Sequence, residues 1–263
     1  MEWLSLFSAI LYALAIYLCF QELGSRRQGK KMLLLSLAGV AMLAHGIWIY
    51  KQLFSQYGQD LSLTNVSALA SLLIGVALSG FVGRSKVLFM LPLVYACAIL
   101  TIALAFFFPD QYIVHFELRP QIALHIGLSL LAFTVFALAC LFAIMFAYLN
   151  WNLKHHSVAA IHPALPPLMS IEASLLKLIR IGFVLLSLAL ISGWVFLDSF
   201  WNSGHSHKAI LTSLAWLVYA VLLWGRYQLN WRGTRLIVGT ISGFVLLTLA
   251  YFGSRFVREV LIN

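Results

Sequence analysis

Long apolar runs separated by short polar segments form the dominant pattern of this sequence. A helix needs roughly 20 predominantly apolar residues to cross the hydrocarbon core of a bilayer. The runs that meet this length predict eight spans, at Trp3–Phe20, Met32–Phe54, Leu63–Val82, Val87–Phe108, Ile122–Leu149, Ile179–Trp201, Ala209–Trp224 and Leu236–Phe256. Because helices satisfy their own backbone hydrogen bonds in lipid, we predict an all-α polytopic membrane helix bundle, a single membrane domain over residues 1–263.

The longest polar segment between predicted spans covers about residues 150–178. Pro163, Pro166 and Pro167 prevent a helix from continuing through it. Ser170 and Glu172 then predict the first turn of an interfacial helix that leads into the sixth span.

Composition supports a membrane protein. Hydrophobic residues make up 62% of the chain and charged residues only 10%, whereas soluble domains carry about 25% charged residues. The net charge of +9 comes from Lys and Arg in short loops, where such residues set membrane orientation. The charge therefore does not indicate a nucleic-acid partner.

The Lys and Arg distribution predicts the orientation in a bacterial-type inner (plasma) membrane. Segments 23–31, 83–86, 150–180 and 226–235 hold twelve of the 17 basic residues. Because basic loops stay on the cytoplasmic side, we predict that both termini are external.

The sequence does not favour an enzyme. It has no Ser-His-Asp arrangement, phosphate-binding loop or H-E-x-x-H motif, and its three cysteines lie in apolar runs without a C-x-x-C pair. None of the acidic residues falls at the centre of a predicted span, which weighs against a proton-driven transporter. We therefore predict a binding protein that carries out no covalent turnover.

Histidines concentrate on the predicted external side. His45 lies about thirteen residues into an outward-running span and His125 follows Pro120 at the start of an inward-running one, so both fall in the outer half of the bilayer. His115, His205 and His207 lie in the external loops.

These histidines are candidate haem ligands. Imidazoles on neighbouring helices can bind haem iron from both faces. Three basic residues lie in the same predicted layer and could pair with haem propionates: Lys51, Arg119 and Lys208. Trp48, Trp194 and Trp201 also lie in this layer, where they fit an ordinary aromatic belt as well.

Other functional interpretations of these histidines remain open. His45 could simply hydrogen-bond across helices. His205 and His207, with His115 and Asp198, could bind a metal ion, as in a metal-ion or small-solute transporter. A haem-dependent quinol oxidoreductase would need a quinone pocket that the sequence does not reveal.

Several segments together resemble a known superfamily. They are His125-Ile-Gly-Leu-Ser-Leu-Leu-Ala-Phe, Leu165-Pro-Pro-Leu with Glu172 and Ile181-Gly-Phe-Val-Leu-Leu-Ser-Leu, and His207-Lys-Ala-Ile-Leu-Thr-Ser-Leu-Ala-Trp-Leu-Val-Tyr leading to Trp224-Gly-Arg and Trp231-Arg-Gly. Their order and spacing resemble the cytochrome c assembly superfamily, in particular its short, single-module branch of HemX-like and YpjD-type inner membrane proteins. The resemblance covers about residues 40–255.

The resemblance implies that haem b is held non-covalently in connection with cytochrome c assembly. By position, His125 and His207 match the pair of haem iron ligands, with His205 as the alternative second ligand. His45 would be an additional intramembrane contact. The implied partners are membrane lipids, haem and another inner membrane or cytochrome c maturation protein.

The external loop departs from the pattern of full-length members. Those members carry a W-G-x-x-W-x-W-D motif, whereas this loop keeps only Trp201 between Ser199 and Lys208. The departure leaves open a second function, a non-catalytic scaffold or regulator of tetrapyrrole or other membrane machinery.

Overall fold

Long helices make up most of the computed structural model. It describes residues 2–24, 30–55, 58–82, 87–108, 112–115, 120–155, 166–196 and 206–253. The helices in this part of the chain are α1 (Glu2–Gly24), α2 (Lys31–Leu53), α3 (Leu63–Phe81), α4 (Leu91–Phe107), α5 (Pro120–Lys154), α6 (Leu168–Phe196), α7 (Ser206–Gln228) and α8 (Thr234–Thr248). A 3₁₀ turn at Leu88–Met90 precedes α4, and a π turn at Leu249–Gly253 follows α8.

All eight helices, counted with these turns, are long and apolar enough to cross a membrane within the described residues. Large apolar side chains such as Leu43, Leu100 and Val184 are exposed on helix surfaces, where a bilayer would solvate them. The prediction of an all-α polytopic bundle is confirmed.

Two helices differ in length from their predicted spans. Helix α5 has 35 residues, about 52 Å at 1.5 Å per residue, so it exceeds the roughly 30 Å hydrocarbon core. Helix α6 begins at Leu168, well before the predicted Ile179. The interfacial helix predicted to lead into the sixth span is therefore continuous with that span as part of α6, because the buried positions Ile171, Leu175 and Ile179 continue one helical face without a break.

The chain forms two compact units. The first comprises Met1–Phe116 with His162–Pro166, and the second comprises Glu117–Ile161 with Pro167–Asn263. Helices α1 to α4 belong to the first unit and α5 to α8 to the second.

Small side chains bring the helices of the first unit together. Ala15 on α1 and Ala38 and Ala41 on α2 are fully or almost fully buried. The Ser8 hydroxyl donates a hydrogen bond of 3.0 Å to the Ala41 carbonyl. Small residues allow close approach of membrane helices, where dispersion and interhelical hydrogen bonds replace the hydrophobic effect.

A small antiparallel sheet, absent from the sequence prediction, lies at one end of the first unit. Its strands are β1 (Phe54–Ser55), β2 (Gly58–Asp60) and β3 (Ile113–Val114), in the order β1-β2-β3. The Asp60 Oδ1 accepts hydrogen bonds from the backbone N–H of Ser62 (3.0 Å) and Tyr112 (2.8 Å). Strands this short carry no alternating pattern for a sequence prediction to detect.

One residue from each helix meets at the centre of the second unit. Phe136 on α5 stacks on Tyr219 of α7, with ring centroids 3.8 Å apart and planes at 16°. Gly182 on α6 and Gly243 on α8 lie against the two rings, since an added Cβ would come within 2.9 Å of Phe136 and 2.7 Å of Tyr219. The Tyr219 hydroxyl donates a 3.1 Å hydrogen bond to the Thr240 carbonyl of α8. This layer fixes the depth at which the four helices pack.

Candidate functional site

His125 is held by a neighbouring helix through one of its ring nitrogens. It lies on the second turn of α5, which starts at Pro120, a residue suited to the first helical position. Its Nδ1 is 3.0 Å from the Ala189 carbonyl oxygen and 3.0 Å from the Ser192 hydroxyl, both on α6. The Ser192 hydroxyl also donates to the Ala189 carbonyl at 2.8 Å.

This arrangement determines which nitrogen of His125 carries the proton. A carbonyl oxygen can only accept, so Nδ1 of the neutral ring donates to Ala189 and Nε2 keeps the lone pair. Among the described residues, only Nδ1 of this ring is hydrogen-bonded. A histidine that binds a metal usually donates its other ring N–H to a carbonyl or carboxylate. His125 therefore keeps an unprotonated Nε2 on a partly exposed ring.

His207 lies at the same end of the second unit. It belongs to the first turn of α7; its side chain is outside the described part. Helices α6 and α7 are antiparallel, because the Trp216 indole N–H donates to the Ser187 hydroxyl at 2.8 Å and Phe183 stacks on Trp216. Trp216 contacts both Phe183 and Ser187, and counting 1.5 Å per residue from these contacts puts His207 within about one turn of the level of Ser192.

The other sequence-predicted residues are placed differently. Lys208 is half-buried on the first turn of α7, next to His207. Arg119, Trp201 and His205 lie outside the described residues. His115 is exposed next to β3 in the first unit.

His45 is enclosed in the first unit. It has 0% exposure, and its Nδ1 is 3.4 Å from the Tyr12 hydroxyl. Its ring lies 6.0 Å from Tyr12 and 5.9 Å from Trp48 between centroids. The interhelical hydrogen bond considered from sequence is thus present. Its Nε2 is buried without a partner in the described structure, which is unusual because buried polar atoms are nearly always hydrogen-bonded.

An ion pair that the sequence did not predict lies at the opposite end of the second unit from His125. The Arg226 Nη1 is 3.3 Å from the Glu172 Oε1 and donates to the Trp231 carbonyl at 3.1 Å. The Glu172 contact is close enough for ion pairing, although Oε1 has no hydrogen bond of good geometry. Glu172, Arg226 and Trp231 all lie in the segments that resemble the superfamily, and this is the one sequence signal that links them.

The residues predicted for a metal-ion site are not brought together in the described part of the chain. No group of three or more His, Cys, Asp or Glu there could hold a metal ion. Asp198 and His205 lie outside that part, so this alternative stays a prediction.

Comparison with known proteins identifies the family. The family model described as cytochrome C assembly protein matches residues 2–262. The inner membrane protein YpjD of Escherichia coli strain K12 is 36% identical over 259 residues, 98% of each chain. Cytochrome c biogenesis protein CcsA of Prochlorococcus marinus strain MIT 9303 is 35% identical over 79 residues, 29% of this chain and 25% of that one. CcsA of Mesostigma viride is 25% identical over 152 residues, 49% and 50% of the two chains.

No solved structure shows significant similarity to the chain. The match to the family model over almost the whole length and the full-length similarity to YpjD both agree with the eight apolar helices. The chain is a multi-pass membrane protein that belongs to the cytochrome c assembly protein family.

Proposed function

We propose that this protein holds haem b non-covalently at the His125 end of its second unit, as a haem-handling protein of cytochrome c assembly. His125 and His207 would hold the haem iron. The observation that carries the proposal is the hydrogen bond from His125 Nδ1 to the Ala189 carbonyl, because it leaves Nε2 with a lone pair in a fixed direction.

The donor set suits this cofactor. Imidazole is a common ligand of haem iron, and a haem held by these residues would supply redox chemistry there. In this proposal the Ala189 carbonyl and the Ser192 hydroxyl orient the His125 ring. Lys208 lies beside His207 and would pair with a propionate.

Other predicted residues enter the proposal as secondary contacts. Arg119 would add a second cation for the propionates, Trp201 an apolar surface, and His205 the alternative second ligand. His45 has no exposed surface, so a macrocycle would contact it only after its neighbours move. Its role as a further contact stays a prediction.

The location and partners follow from the family and its relatives. The name of the Escherichia coli relative places that protein in the inner membrane, and the CcsA relatives are named for cytochrome c biogenesis. We propose that this protein also works in a bacterial inner membrane, with both termini external. Its partners would be lipids, haem and a second membrane protein of cytochrome c maturation, and it would hold or pass on haem without covalent turnover.

An absorption spectrum of the detergent-purified protein tests the proposal. Spectra are recorded oxidised and dithionite-reduced, before and after titration with haemin. We expect a narrow reduced α band in the unaltered protein and its loss in His125→Ala and His207→Ala.

A matched control is His155→Ala. His155 is exposed at the far end of α5, where its Nδ1 is 2.8 Å from the carbonyl of Trp151 on its own helix. The His155→Ala variant should leave the reduced α band unchanged. If the unaltered protein shows no haem band, or if His125→Ala behaves like His155→Ala, the haem proposal is wrong. A stable partner that co-purifies without haem would then support the scaffold alternative.

A further inference from the structure

A groove of about 260 Å³ lies between α7 and α8 in the second unit. It is almost entirely apolar, apart from a cation at one end. It is lined by Leu217, Val218 and Val221 from α7 and Gly239 from α8, and it ends at Trp231 and Arg235. His125 does not line this groove, and the haem proposal assigns the groove no ligand.

The groove runs in the direction of lipid chains. Leu217 and Val221 are one turn apart on α7, as are Arg235 and Gly239 on α8, so the groove follows the helix axes. Leu217 and Val221 are 52% and 44% exposed, which means that the groove opens sideways. Its volume is below the roughly 300 Å³ of the smallest drug-sized pockets. These features suit one flexible acyl chain better than a ring-shaped ligand.

The closed end of the groove is built from fixed contacts. The Trp231 ring packs on the backbone of Gly225, where any Cβ would overlap it. The Trp231 N–H donates to the Gly225 carbonyl at 3.1 Å, and its own carbonyl accepts from Arg226. Because Arg226 is paired with Glu172, Trp231 is positioned before any ligand arrives.

Arg235 supplies the charge at this end. Its guanidinium carbon lies 5.4 Å from the centre of the Trp231 ring, and its side chain is exposed. No carboxylate pairs with it among the residues that the structure describes. Arginine binds phosphate oxygens through two parallel hydrogen bonds, and cations at the end of a span attract anionic headgroups.

We propose that the groove binds one acyl chain of an anionic phospholipid and that Arg235 binds the phosphate of the same lipid. The chain would lie along Val218 and Val221, and the headgroup would lie at the Trp231 end. The preference for an anionic lipid comes from the charge of Arg235, which has no carboxylate partner in the described part of the chain.

Native mass spectrometry of the full chain in detergent tests this site. Dioleoylphosphatidylglycerol and dioleoylphosphatidylcholine are added at equal concentration, and the bound fractions are compared. We expect the unaltered protein to favour the glycerol lipid by about five-fold, the effect of one interfacial cation. Arg235→Gln should remove this preference.

Matched variants separate the groove from general surface charge. Arg232 is also exposed but does not line the groove, so Arg232→Gln should keep the preference. Val221→Trp fills the groove and should reduce binding of both lipids; Leu217→Trp repeats this test if the first variant does not fold. An unchanged preference in Arg235→Gln, an equal loss in both arginine variants, or undiminished binding in the folded tryptophan variants would overturn the proposal.

Discussion

At the scale of single residues, the described histidines differ in how their two nitrogens are used. His125 bonds through Nδ1 to another helix and keeps a partly exposed ring. His45 is fully buried, and its Nε2 is enclosed. His155 bonds to its own helix in solvent. Of these three, His125 alone combines a hydrogen bond to another helix with a ring that is partly exposed.

Ser192→Ala tests whether the support of the His125 ring matters for haem binding. The His125 ring would keep its hydrogen bond to the Ala189 carbonyl but lose its 3.0 Å contact with the Ser192 hydroxyl. Because partners of ligating histidines typically contribute 10- to 100-fold in affinity, we expect haemin to bind about ten-fold more weakly in a titration. Ser187→Ala, a second serine replacement on α6, is the control; it removes the hydrogen bonds to Trp216 of α7 and to the Phe183 carbonyl but none to His125. Equal affinities of the two variants would contradict this role of Ser192.

At the scale of helices, close packing in the second unit depends on two positions without a side chain. Gly182 and Gly243 lie on either side of the Phe136–Tyr219 stack. Helices enclose both aromatic rings of this stack, so the rings have little room to move away from an added side chain.

Gly243→Ala should therefore destabilise the protein, because the new Cβ would come within 2.7 Å of the Tyr219 ring. Overpacking of this kind typically costs about 1–3 kcal/mol, which thermal unfolding in detergent would detect. Gly127→Ala on α5 is the matched control, since no atom outside its own helix backbone lies within 4 Å of the added Cβ. If Gly127→Ala lost as much stability as Gly243→Ala, the packing argument would be contradicted.

The Glu172–Arg226 pair joins α6 to α7. Their side chains are 8% and 18% exposed, so removal of one partner leaves a largely buried charge, at a cost of about 3 kcal/mol. We expect Arg226→Met to lower the unfolding temperature and the double variant Glu172→Met with Arg226→Met to recover much of the loss. A double variant that is less stable than either single variant would show that the pair does not act as a unit.

Helices and long-range contacts were predictable from the sequence to different degrees. Every span was visible as an apolar run, because membrane helices need continuous hydrophobicity. The first helical turn predicted at Ser170 and Glu172 lies close to the start of α6 at Leu168, but the apolar run alone began at Ile179, because these polar residues interrupt it without ending the helix. His125 could be chosen as a candidate, but its partners could not, since Ala189 and Ser192 are 64 and 67 positions away and look like ordinary residues of an apolar helix.

At the scale of the whole molecule, the predicted orientation assigns opposite ends of the helices to opposite sides of the membrane. His115 in the first unit and His155 in the second are both exposed, and each would be accessible from a single side. The native cysteines Cys19, Cys97 and Cys140 lie within helices, so they can be replaced by serine or alanine to provide a background without thiols.

In that background, His115→Cys should react with a membrane-impermeant maleimide in intact cells, because its loop is predicted to be external. His155→Cys should react only after the membrane is opened. Labelling of the two positions in the reverse order would show that the orientation inferred from Lys and Arg is inverted.

The most direct test of the account is chemical rescue at His125. In His125→Gly, the α5 position is left open and the reduced α band of bound haem should be lost. Addition of millimolar imidazole should restore it, since the free ring can occupy the place of the missing side chain beside Ala189 and Ser192; the band of His155→Gly should be unaffected throughout. A folded His125→Gly protein that keeps the band of the unaltered protein without imidazole would contradict the assignment of His125 as a haem ligand.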